Sequence, residues 1–193
     1  MYAESLGRRS LFTLRHVIAS ASLLAFCAMQ LAAEDAATGA AVKPLKVELL
    51  QSDGSYMQID AAMAANDDKP IVYLLIPAAR WDRPVARFMK TLDEKLSGYS
   101  AAAEIRAIWL SAEPDATKEY LPRVQQSLQL QKTTLGVYAD AEGPEGWQPG
   151  GDIQMVAIVV HRGKMAARFP FGSVNETDVP QVGEAVANSL DGN

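Results

Sequence analysis

The chain has 193 residues, of which 49% are hydrophobic and 21% charged, the proportions of an ordinary folded domain rather than a disordered or fibrous chain. Its formal net charge is −5, and no basic run interleaved with aromatic residues occurs in it, which argues against a nucleic acid as partner. A single domain with one core is what this length predicts.

Arg8, Arg9 and Arg15 precede an uncharged apolar stretch from Val17 to Ala28, and small residues follow at Ala32 and Ala33. This is the pattern of a secretory signal peptide over residues 1–33, and the stretch is short of the roughly 20 apolar residues a spanning helix needs. An uncleaved anchor is the alternative. Arg8-Arg9-Ser10-Leu11-Phe12 also resembles a twin-arginine export signal; by either route the mature protein is expected in the periplasm or outside the cell, with no membrane association after cleavage. Cleavage would take away three arginines and one glutamate and leave a net charge of −7. It would also remove Cys27, the one cysteine, so that neither a disulfide nor a thiolate site is expected in the mature chain.

Residues 34–43 are mostly Ala, Thr, Gly and charged residues without hydrophobic period, and 34–44 is predicted as a flexible spacer. A domain over 45–193 follows. Val47–Gln51 and Tyr56–Ile59 alternate in hydrophobicity around Ser52-Asp53-Gly54-Ser55, which predicts a hairpin. Ala61–Asp67 is a candidate short helix. Ile71–Ile76 is an unbroken apolar run suited to a strand buried on both faces. Pro77–Arg80 turns the chain, Asp82 is placed to cap a helix whose first turn holds Pro84, and Val85, Phe88, Met89, Leu92 and Leu96 recur at helical spacing.

Ile105–Leu110 predicts a second buried strand and Lys118–Leu130 a helix, with Pro122 tolerable only near its start. Thr134–Tyr138 is a short strand and 139–151 a Gly-, Pro- and Trp-containing loop. Met155–His161 and Lys164–Phe169 flank an Arg162-Gly163 turn, and Thr177–Leu190 closes the chain as a helix. The order predicts an α/β, three-layer fold: a central mixed sheet with helices on both faces.

Ala79-Arg80-Trp81-Asp82-Arg83-Pro84-Val85 after a buried strand resembles the A-x-W-C-G-P-C segment of the thioredoxin family. Trp81 and Pro84 match; Asp82 and Val85 stand where the two cysteines would be. Leu92-Asp93-Glu94, the strand-turn-strand about Gly163 and the terminal helix extend the likeness over about residues 45–190, and the opening hairpin resembles the secreted redoxin branch. The resemblance implies a thioredoxin-like fold without thiol–disulfide or peroxidatic chemistry, since both need a thiolate. The family's cis-proline, counted back from Gly163, would fall at Gln154 or Met155, and neither is proline.

The candidate site is therefore Arg80, Trp81, Asp82 and Arg83, together with Trp147 of the 139–151 loop, which the fold would bring to the same end. Trp and Arg are enriched at binding hot spots; the plain alternatives are an N-cap for Asp82, packing for Trp81 with solvated arginines, and a loop plug for Trp147. His161 reads as a solvated strand-end residue, and the acidic loop pairs 67–68, 113/115 and 140/142 read as surface. No metal and no cofactor are expected. The expected function is binding of an exported protein or extended peptide, the alternatives being an enzyme with non-thiol chemistry near Asp82 or a purely structural assembly component.

Overall fold

The computed structural model describes residues 38–62, 68–100 and 103–191. The predicted signal peptide lies outside the described residues, as does most of the Ala61–Asp67 helix; Ala61 and Ala62 form a turn. The described residues form seven strands and three α-helices in order: β1 (Lys46–Leu50), β2 (Tyr56–Asp60), β3 (Ile71–Pro77), α1 (Arg83–Tyr99), β4 (Glu104–Leu110), α2 (Pro114–Leu128), β5 (Thr133–Tyr138), β6 (Met155–His161), β7 (Lys164–Phe171) and α3 (Val179–Asp191).

The strands form one mixed sheet in the order β2-β1-β5-β4-β3-β6-β7. β3, β4 and β5 run parallel, joined through α1 and α2, while the two hairpins lie antiparallel at the flanks. Burial on both faces explains why β3 and β6 read as unbroken apolar runs: every residue from Ile71 to Ile76 and from Met155 to His161 is buried.

Strand alternation divides the core into two layers. Val72, Leu74 and Ile76 of β3 and Ala107 and Trp109 of β4 face the apolar stripes of α1, α2 and α3. Tyr73, Leu75, Ile108 and Leu110 face the other way, under Leu45, Ala61, Trp147 and Met165. The expected mixed α/β sheet is present; of the described residues, those covering this second face are coil and hairpin rather than helix. The segment read as a spacer to residue 44 contributes to that cover. Gly39 N donates to Met165 O at 2.7 Å, Met165 N to Ala40 O at 2.9 Å and Val42 N to Gly163 O at 3.0 Å, so the chain is tied along β7 from Gly39 onward.

Helix α2 departs from expectation. It begins at Pro114, four residues before the predicted start, and Pro122 lies in its interior. Proline cannot donate to the carbonyl one turn back, that of Lys118. The Tyr56 hydroxyl of β2 donates to Lys118 O at 2.8 Å and satisfies it. Buried Asp93 of α1 plays a similar part at the start of β5, accepting from Gln131 N, Lys132 N and Thr133 Oγ1 at 2.9, 2.8 and 2.7 Å.

Candidate functional site

The parallel strands β3 and β4 end together, with Ile76 opposite Trp109 and Pro77 opposite Leu110. Ligands of open α/β sheets bind beyond such carboxyl ends, where connecting turns leave a crevice. After β3, residues Ala78–Arg80 make a single helical turn, Trp81 is extended, and Asp82 caps α1 with Pro84 in its first turn.

Asp82 is exposed, yet both its oxygens are engaged. Oδ1 accepts from Val85 N at 3.1 Å and Oδ2 from the Gln154 side-chain amide at 2.8 Å. Gln154 Oε1 in turn accepts from Val174 N at 2.9 Å, and its backbone N–H donates to Phe171 O at 2.7 Å. Gln154, one of the two positions where the resemblance would put a cis-proline, thus ties the start of α1 to the chain after β7. No cis peptide occurs among the described residues. Val85, at the second cysteine position, is fully buried in the helix-side core. The polar group that converges on Asp82 is an amide, which does not act as a general acid or base.

Trp81 is half-buried. Its ring meets Trp109 edge-on, with centroids 5.0 Å apart and an interplanar angle of 61°. Its Nε1 donates to the Tyr120 hydroxyl of α2 at 3.2 Å. Tyr120 is 42% exposed and Trp109 only 1%, and the buried Nε1 of Trp109 has no hydrogen-bond partner among the described residues. The Trp81–Tyr120 bridge borders two clefts. One, of about 390 Å³, lies between the turns after β3 and β4 and is walled by Trp81, Trp109, Tyr120 and Leu110, with Glu113 at its rim. The other, of about 510 Å³, lies between α1 and α2 and is flanked by Arg83 and Arg123. A hollow of about 600 Å³ at the opposite end of the sheet has no aromatic wall and includes Gln51, Lys69 and Glu104.

The remaining sequence candidates separate. Arg80 reaches Asp152 at 3.2 Å on the surface. Arg83 is exposed at the first position of α1. Trp147 does not join Trp81: it is 1% exposed in the other core layer, meets Tyr73 edge-on at 5.1 Å and donates through Nε1 to Lys43 O at 3.0 Å. Its place in the expected recognition surface is therefore corrected to that of a plug, because the 139–151 loop covers a sheet face on which an apolar ring is the available filling. His161 is also buried rather than solvated; Nδ1 lies 2.7 Å from Ser189 O and Nε2 3.2 Å from Asp68 O. No group of three or more His, Cys, Asp or Glu side chains fit for a metal occurs among the described residues.

Sequence reading missed Trp109 and Tyr120. Trp109 sits in a run that reads as strand core, and Tyr120 is 39 residues from the Trp81 it bonds. The parallel pairing of β3 with β4, and the packing of α2 beside it, bring the three together.

No family model matches the chain, and no curated protein matches it. Solved structures do. A thioredoxin-like protein from Porphyromonas gingivalis is similar at a TM-score of 0.59 with 12% identity, over 80% of this chain and 94% of that one. Peroxidoxin BcpB from Mycobacterium tuberculosis is similar at 0.54 with 12% identity, over 79% and 97%. A peroxiredoxin-like protein from Aquifex aeolicus is similar at 0.52 with 15% identity, over 77% and 86%. These likenesses define the class of this protein by its fold, which is α/β and thioredoxin-like. Within that fold the chain has Asp82 and Val85 at the two positions read as replacing cysteines, and its one cysteine is Cys27.

Proposed function

We propose that the protein is an exported thioredoxin-like recognition module that performs no thiol–disulfide exchange and holds an extended peptide or an exported partner at the Trp81 end of its sheet. The observation that carries this reading is the combination, at one end of the parallel strands, of a half-exposed Trp81 bridged to an exposed Tyr120 and a helix start whose capping carboxylate is fully engaged. A thiolate attacker and a resolving thiol are both missing there. An aromatic pair between two clefts is what an apolar anchor residue needs. A purely structural component would bury both Trp81 and Trp147; burial of Trp147 alone favours recognition.

The redox half is tested by insulin reduction with the full chain carrying Cys27→Ser. No turnover above buffer is expected, and turnover would contradict the reading. The recognition half is tested by retention of a discrete partner from periplasmic extract. Wild type should retain it and Trp81→Ala should lose most of it; equal recovery counts against the Trp81 surface.

A further inference from the structure

We infer that the segment bound at this end is acidic and carries one apolar or aromatic anchor, with the anchor beside Trp81 and Trp109 and the acidic groups on Arg83 and Arg123. The inference rests on the recognition reading and adds the chemistry of the partner. The two clefts share Trp81 and Tyr120 and so form adjoining halves of one surface. Their chemistry differs.

In the half between α1 and α2, Arg83 and Arg123 are exposed, and neither makes a hydrogen bond or ion pair with any described residue. Arg87, one turn beyond Arg83 on the same helix face, is likewise exposed and unpaired. Other arginines are engaged: Arg80 with Asp152, Arg106 with Ala61 O and Arg168 with Gln148 O. A chain of net charge −5 thus places two uncommitted guanidinium groups at one cleft, with a third one helical turn away. Of the nearby carboxylates, Asp82 is held by Val85 N and Gln154, and Glu119, one turn before Arg123, makes no ion pair with it. Guanidinium groups suit carboxylates through paired, charge-assisted hydrogen bonds.

The other half is apolar, walled by Trp81, Trp109 and Leu110. Glu113 at its rim repels acid, so the segment has a direction: acidic on the arginine side of the anchor, neutral or basic beyond it. The preference is electrostatic and should weaken with salt.

The test is fluorescence anisotropy of the full chain with short fluorescein-labelled synthetic peptide pools. Each pool has an apolar or aromatic anchor and randomised flanks drawn from Asp and Glu, from Asn and Gln, or from Lys and Arg; a fourth is acidic without an anchor. The anchored acidic pool should bind about tenfold more tightly than its amide counterpart, and the Arg83→Gln/Arg123→Gln variant should lose that difference. Both substitutions are at exposed positions and leave the fold intact. Equal binding of acidic and amide pools, preference for the basic pool, binding of the acidic pool without its anchor as tightly as with it, or an unchanged preference in the double variant overturns the inference while leaving recognition standing. Binding of no pool overturns both.

Discussion

What Asp82 does is decided by the atoms its two oxygens touch. One is spent on a helix N–H and the other on an amide, so the residue organises the turn instead of presenting a free carboxylate. Its capping role was legible from Asp followed at two positions by Pro, because both residues favour a helix start for local reasons. The role of Gln154 was visible only as a proline that was missing, and the burial of Trp147 only as one of two alternatives, since it depends on which loop closes over which sheet face. Tyr73 offers a residue-scale test. Burial pushes its phenol up to about 12, against the opposing influence of Arg106. A phenol raised in the folded state gives stability that is complete below its unfolded value near 10 and lost as pH rises through 12. Urea unfolding from pH 9 upward should therefore lose about 3 kcal/mol. Tyr73→Phe, which gives up the hydrogen bond to Ala61 O, should cost about 1 kcal/mol at neutral pH but flatten the alkaline slope; an unchanged slope would contradict the assignment.

At the scale of elements, α2 and the chain before β1 are where local reading fell short. Pro122 looked like a reason to start the helix late, because sequence does not reveal that a tyrosine 66 positions earlier supplies the donor that proline lacks. The segment 39–43 has no hydrophobic period because it is held to the β6–β7 hairpin largely through its backbone, with Val42 alone packing against the core. The helices and strands that were legible are those whose own residues bury a stripe or a face, as α1 does with Val85, Phe88, Met89, Leu92 and Leu96. A double-mutant cycle tests the α2 account. Tyr56→Phe should cost about 1 kcal/mol alone and close to nothing in a Pro122→Ala background, where the restored N–H takes the Lys118 carbonyl. Strict additivity would show that the hydroxyl does not serve the proline gap.

For the whole molecule, the parallel β3-β4-β5 core with two flanking hairpins follows from the alternation of buried runs and amphipathic helices, and that alternation is written in the residues themselves, so the fold class was legible in the sequence. The candidate site was half legible. The β3–α1 turn carries its own signal in Arg80 to Pro84, whereas Trp109, Tyr120 and Arg123 belong to other elements and reach the turn only through sheet register and helix packing. None of the described helices is long and apolar enough to cross a membrane, and the surface proposed for recognition lies at the carboxyl ends of the parallel strands. The chain's three tryptophans report on it separately, two on the helix side of the sheet and Trp147 on the other. The most direct measurement is a proton–nitrogen NMR spectrum of their indoles during titration with a peptide selected from the anchored acidic pool. If Trp81 and Trp109 flank the bound anchor, their signals move together and saturate while that of Trp147 stays in place; still Trp81 and Trp109 signals, or a shift confined to Trp147, would contradict that placement.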